Sequence, residues 1–151
     1  MMYMVKVEGF KFPQNLYYSK DHLWIELKEN EAKVGFTSLG EALCKEIVHV
    51  DLPFEGDEKK QGDEIGSFET IKAVIRIHAP LSGKVTKTNN ALYQQPDLIN
   101  EEPYGKGWLF VITVNEPKLE LKQLMGSEKA AKYYKTIIDE EKEKFGDYDE
   151  P

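Results

Sequence analysis

A mainly β domain with some helix, built as a small antiparallel barrel or sandwich, is the fold class that the sequence predicts. Three observations carry this. Short runs of β-branched and aromatic residues recur up to Pro117, turn-forming residues punctuate them about every 8 to 12 positions, and helical periodicity is concentrated after Pro117.

Taken in order, Tyr3, Val5 and Val7 alternate with polar neighbours as a short strand would, and Gly9 and Pro13 break the pattern. Residues 1–15 therefore read as an extension that pairs with or leans on the main body. Residues 16–145 form a single domain, and the acidic residues 146–151 form a tail. Leu23 to Leu27 and Ala32 to Phe36 are β-prone runs on either side of the polar KENE, the right length for a hairpin loop. Ser38 and Glu41 stand three apart as a capping box, with Leu39, Ala42 and Leu43 at helical spacing, which predicts a short helix near residues 39–45. Gly40 inside it costs about 1 kcal/mol.

Ile47, Val50 and Leu52 alternate imperfectly up to Pro53 and read as another strand, followed by the charged, glycine-containing loop FEGDEKKQGDEIG. Ile65 to Ile77 is strand-like almost throughout. HAPLSGKV then turns the chain into a short strand at Lys84 to Thr88, with Gly66, Pro80 and Gly83 read as turn residues. Between Asn89 and Gly107 the breakers leave room only for brief helical turns. WLFVITV is the most hydrophobic strand and belongs at the centre of a sheet. Beyond Pro117 the chain turns helical: Ser127 can cap, and Ala130, Tyr134, Ile137, Ile138 and Glu141 map one largely apolar face.

Composition narrows the function classes. A length of 151 residues allows one domain that buries roughly two-thirds of its unfolded surface. No window approaches the roughly 18 apolar residues of a membrane span, and the N-terminus has neither a signal-peptide core nor transit-peptide composition, so a soluble cytoplasmic protein is expected. A net charge of −7 disfavours nucleic acid and favours basic docking surfaces on other proteins. Arg76 is the single arginine, which leaves little for bidentate clamping of phosphates. Cys44 is the single cysteine and reads as a small buried hydrophobe, while His22, His49 and His78 lack zinc spacing. No metal site and no catalytic constellation is visible; Glu101 and Glu102 read as solvated loop charges.

The stretch GSFETIKAVIRIHAPLSGKV sets Lys72 between apolar runs. As one continuous strand, Ile71, Ala73, Ile75 and Ile77 share a face and Lys72 lies on the wet one. As a hairpin, ETIKA is the tip, although no Asn-Gly or Asp-Gly signal marks it. Local pattern leaves both readings open.

From about Leu16 to Ile138 the chain resembles the glycine cleavage system H proteins, a family of lipoyl carriers that includes H-like lipoate-binding proteins. YYSKDHLW stands where the family has a tyrosine before His-Glu-Trp. KVGFTSLGEAL and EIVHVDLP are similar to its next strands and short helix. GSFETIKAVIRIHAPLSGKV resembles the segment around Glu-Ser-Val-Lys-Ala, and NNALYQQPDLINEEPYGKGWL its Asn-Glu-Ala-Leu to Gly-Trp-Leu stretch. The resemblance implies a flattened antiparallel barrel or sandwich of the lipoyl-domain hammerhead type, with a short helix and a C-terminal helix. It places Lys72 at a hairpin tip as the attachment point of covalent lipoic acid, with Glu69, Ile71 and Ala73 recognised by the lipoate-attaching enzyme.

The implied role is a non-catalytic, monomeric carrier. It would take an aminomethyl group from a pyridoxal-phosphate glycine decarboxylase and present it to a tetrahydrofolate-dependent aminomethyltransferase, and dihydrolipoyl dehydrogenase would then reoxidise the arm. The opening GFKFPQNLYYS resembles H-like lipoate-binding proteins that serve heterodisulfide-reductase-like complexes in sulfur oxidation, which leaves a sulfur cargo as the alternative. A biotin carrier lacks its Met-Lys-Met here, and an unmodified H-like interaction protein is the remaining class. Leu23 replaces the family's central glutamate, Thr70 and Ile71 are mild changes from Ser and Val, and His22 and Trp24 read by default as core or hydrogen-bonded residues.

Overall fold

The structure is a computed structural model that describes residues 4–7, 10–40 and 46–145. Its strands are β1 (Met4–Val7), β2 (Phe10–Pro13), β3 (Tyr17–Tyr18), β4 (Leu23–Lys28), β5 (Glu31–Phe36), β6 (Ile47–Asp51), β7 (Glu58–Lys59), β8 (Glu64–Thr70), β9 (Val74–His78), β10 (Gly83–Thr88) and β11 (Phe110–Val114). They form a six-stranded sheet in the order β3-β4-β5-β11-β10-β7, a three-stranded sheet β6-β8-β9 and a separate β1-β2 hairpin. Every pairing is antiparallel.

The two larger sheets share one core. Leu23, Ile25, Val34, Phe36 and Ile112 of the first meet Ile47, Val50, Phe68 and Ile77 of the second. The described sheets stay open, so the architecture is a sandwich and not a closed barrel. Phe110–Val114 lies between β5 and β10, as its hydrophobicity predicts, with Phe110 and Ile112 fully buried.

Departures from the sequence reading have local causes. The β4–β5 loop tightens to Glu29 and Asn30, because Lys28 pairs with Glu31 and Glu29 adopts a left-handed φ of 55°. β6 alternates imperfectly because its register shifts between Ile47 and His49, a bulge that lets Ile47 and Val50 both face inward. Gly66 and Gly83 lie inside strands: a Cβ on Gly83 would meet the Thr113 carbonyl oxygen at 2.2 Å and one on Gly66 the Asp51 carbonyl oxygen at 2.5 Å.

Both expected serine caps move one residue toward the N-terminus. The short helix begins at residue 38, and its cap is Thr37, whose hydroxyl accepts the Gly40 amide at 3.0 Å. Glu41, Ala42, Leu43 and Cys44 lie outside the described residues. In the C-terminal helix, Ser127–Phe145, Ser127 is the first helical residue, since the Gly126 carbonyl accepts the Ala130 amide. A short helix at Leu98–Glu101 and a 3₁₀ turn at Asn90–Tyr93 supply the brief helical segments.

The C-terminal helix covers a second cluster of Phe12, Leu16, Tyr18, Trp24, Leu39, Met125, Ala130, Tyr134 and Ile138. The N-terminal hairpin packs on that helix. Phe12, fully buried, stacks on Tyr134 at 5.3 Å and meets the edge of Tyr18 at 5.7 Å. The Tyr18 hydroxyl donates to the Pro13 carbonyl at 2.7 Å, and the Tyr134 hydroxyl donates to the Ser19 carbonyl.

Candidate functional site

Lys72 occupies the connection between β8 and β9, so the hairpin reading of this stretch is the one the structure bears out. The ladder runs from Glu64 opposite His78 to Glu69 opposite Val74, and the Thr70 amide then donates to the Ala73 carbonyl at 2.9 Å. Phe68 and Ile77 face the core, while β8 pairs with β6 on its other side. The apolar runs of the sequence are therefore the two arms of one turn, not a single strand.

A threonine hydroxyl organises the tip in place of an Asn-Gly signal. Thr70 Oγ1 accepts the Lys72 amide at 3.3 Å and the Ala73 amide at 3.2 Å, and it donates to the Ala73 carbonyl at 3.3 Å. Such hydroxyl-centred turns are a known alternative to glycine turns. The signal in the sequence is Thr70 itself, a turn-forming hydroxyl residue that stands where the family has serine.

Glu69, Ile71, Lys72 and Ala73 are all exposed. Ile71 is 80% accessible, and Val74 on the same hairpin and Val48 on the neighbouring strand β6 are exposed as well, so this end of the sheet presents apolar side chains to solvent. None of the described ion pairs involves Lys72. Its amine is thus open to a partner, and the rigid sheet behind it meets the need of any site for a fixed platform. Glu69 lies opposite both His49 and Val74 in the ladders, which sets it in the strand and not in the turn.

The HLW stretch is structural. Leu23 is fully buried and pairs with Phe36, so its side chain belongs to the core, away from the surface at which an acid would act. Trp24 is buried, and its indole N–H donates to the Pro103 carbonyl at 2.8 Å. A Cβ on Gly35 would come within 2.2 Å of the Trp24 ring.

His22 has a left-handed φ of 70° and packs its ring 5.1 Å from Tyr134 and 6.5 Å from Phe36. Its Nδ1 is buried without a hydrogen-bond partner among the described residues. Burial lowers its pKa to about 4, against an opposing pull from the Asp21 carboxylate. Burial likewise raises the Tyr18 and Tyr134 phenols and pushes Tyr104 up to about 12.

Among the described residues no group of three or more His, Cys, Asp or Glu side chains is placed to hold a metal, and no helix is long and apolar enough to cross a membrane. Glu101 and Glu102 are exposed, Glu101 at the end of Leu98–Glu101.

Comparison with known proteins gives a consistent result. The family model "Glycine cleavage H-protein" matches residues 16–137. Glycine cleavage system H protein 4 of Aquifex aeolicus is 38% identical over 137 residues, which is 91% of this chain and 80% of that protein. The probable glycine cleavage system H protein of Pyrococcus horikoshii is 38% identical over 135 residues, covering 89% of this chain and all of its own length. A crystal structure of a glycine cleavage system H protein from Mycobacterium marinum superposes with a TM-score of 0.73 at 29% identity, over 82% of this chain and 98% of that one.

Proposed function

Because the chain belongs to the glycine cleavage H-protein family, we propose that it is a lipoyl carrier with Lys72 as its attachment residue. The observation that carries this reading is Lys72 exposed at the apex of a hydrogen-bonded hairpin tip, with no described ion pair to compete for its amine. Those residues fit a covalent lipoyl group: an amide at Nζ removes a charge that nothing among the described ion pairs balances, and the hairpin holds the base of the arm. When attached, the group supplies a dithiolane that exchanges between disulfide and dithiol.

The chain's own part is positional. The β6-β8-β9 sheet fixes the root of the arm, and the tether raises the effective concentration of cargo at each partner's site. Glu69, Ile71 and Ala73 flank the lysine at the surface and are the residues an attaching enzyme would touch first. The chain catalyses nothing and works as a cytoplasmic monomer. In this reading it carries the aminomethyl group of glycine between a pyridoxal-phosphate glycine decarboxylase and a tetrahydrofolate-dependent aminomethyltransferase, with dihydrolipoyl dehydrogenase restoring the oxidised state. The cofactor supplies the chemistry.

Reconstitution tests both levels. Lipoylated protein added to glycine decarboxylase should support glycine-dependent CO2 release, and Lys72→Arg, with an unchanged melting temperature, should support none and gain no lipoyl mass. Support of a sulfur-oxidising heterodisulfide-reductase-like complex without glycine-dependent CO2 release would replace the aminomethyl cargo by sulfur. An Arg variant as active as the wild type would end the carrier reading altogether.

A further inference from the structure

The β8–β9 ladder ends at Glu69 opposite Val74, which leaves the amides of Lys72 and Ala73 beyond its reach. Both are taken by one atom, Thr70 Oγ1, at 3.3 and 3.2 Å, while the same hydroxyl donates to the Ala73 carbonyl at 3.3 Å. A hydroxyl has one proton and two acceptor lone pairs. Thr70 uses all three within the tip, and none is directed at another part of the molecule.

The threonine is itself held from the sheet side. Its Cα pairs with Ile47 on β6, it is half-buried, and a β-branched side chain is stiff about χ1. Its hydroxyl therefore transmits the rigidity of the three-stranded sheet to the two peptide units that flank the lysine Cα. Ile71, 80% exposed, has no packing with which to do this.

We infer that Thr70 is a positioning residue for acylation of Lys72: its hydroxyl holds the backbone around the lysine in the single conformation an attaching enzyme binds. The inference rests on the carrier reading of Lys72. In the step concerned, Nζ forms an amide bond to the carbonyl carbon of a lipoyl adenylate and the bond from that carbon to the AMP oxygen breaks. AMP leaves, and the ammonium releases two protons, with no change in oxidation state. Thr70 touches none of these atoms. Without its hydroxyl the tip samples several conformations, and the apparent affinity of the attaching enzyme falls by the fraction that remains competent.

The test uses full-length protein, lipoic acid, ATP and a lipoate–protein ligase, with lipoyl transfer followed by intact mass. Thr70→Val keeps the shape and removes the hydroxyl; Thr70→Ser restores it. Two acceptor contacts as long as 3.2 and 3.3 Å, each in the lower part of the ordinary net range, correspond to about a tenfold effect. Thr70→Val should raise KM about tenfold with kcat within about twofold, Thr70→Ser should lie within about threefold of wild type, and labelling of Lys72 by a small activated ester should not change. Wild-type kinetics in Thr70→Val, or equal losses in the Val and Ser variants, would overturn the inference.

Amide hydrogen exchange on the wild type gives a second reading that does not depend on any variant folding. The Lys72 and Ala73 amides should exchange more slowly than in an unfolded chain, and random-coil rates at both would sink the idea. A wild type that gains no lipoyl mass while a control lipoyl domain in the same tube does, or a Lys72→Arg variant that gains it equally, defeats the carrier reading. Both outcomes differ from a Thr70 effect that is simply missing.

Discussion

Lowering the pH from 7 to 4.5 should remove about 2 kcal/mol of stability through His22 alone. The imidazole lies against Tyr134 and Phe36 with its Nδ1 buried and unpartnered among the described residues, and burial holds its pKa at about 4 against the usual 6.5. A folded-state pKa below the unfolded one means that the unfolded chain takes up the proton first. Stability is therefore complete above 6.5, is lost as pH falls through the window from 6.5 to 4, and bottoms out at a cost of about 3 kcal/mol below it. Carboxylates titrate in part of the same range, so a difference is needed. Urea denaturation of wild type and His22→Asn, chosen because Asn tolerates the left-handed backbone, should give stabilities whose difference shifts by about 2 kcal/mol between pH 7 and 4.5. Parallel curves, or a His22 ring resonance that titrates near 6.5 in the folded protein, would refute the reasoning.

Three further outcomes follow from packing. Gly35→Ala drives a methyl into the Trp24 ring, whose atoms lie 2.2 Å from the new Cβ, and should cost about 1–3 kcal/mol or more by chemical denaturation. Phe12→Ala removes a fully buried ring that stacks on Tyr134 and should cost about 3–5 kcal/mol, with faster proteolysis of the N-terminal hairpin as the local sign. Lys72→Arg should leave the denaturation midpoint unchanged, since the side chain is exposed and makes none of the described ion pairs; a shift of more than about 0.5 kcal/mol would mean that the lysine has a structural role.

The sheet framework was legible because burial imposes period two on strands. β4, β5 and β11 announce themselves through Ile25, Val34 and Ile112 and their neighbours, and the one-sided helix through Ala130, Tyr134 and Ile138. Where reading residue by residue failed, a backbone group had found a partner that pattern does not encode. The bulge at Ile47 and His49 spoiled the alternation of β6. Thr37 and Gly126 took the cap positions assigned to Ser38 and Ser127 because cap geometry depends on where the chain enters the helix. Gly66 and Gly83 resemble turn residues in sequence, and only the close approach of another strand's carbonyl explains them. At the site itself, pattern could not divide β8 from β9. The family resemblance set Lys72 at a hairpin tip, where the structure has it, and the Thr70 hydroxyl that closes the turn has no local sequence signal of the Asn-Gly kind.

The hairpin that bears Lys72 is contiguous in sequence, but the core it shares is not. Phe68 and Ile77 belong to one cluster with Phe110 and Ile112, which lie on a strand synthesised later. A lone two-stranded hairpin is marginal in water, and pairings distant in sequence form late because their loops are costly to close. A nascent or misfolded chain would therefore display Lys72 on a loose loop. The finished domain offers the ordered tip, so under the carrier reading proposed above an enzyme that recognises the tip's shape would also inspect the fold, and charging the lysine would become a form of quality control.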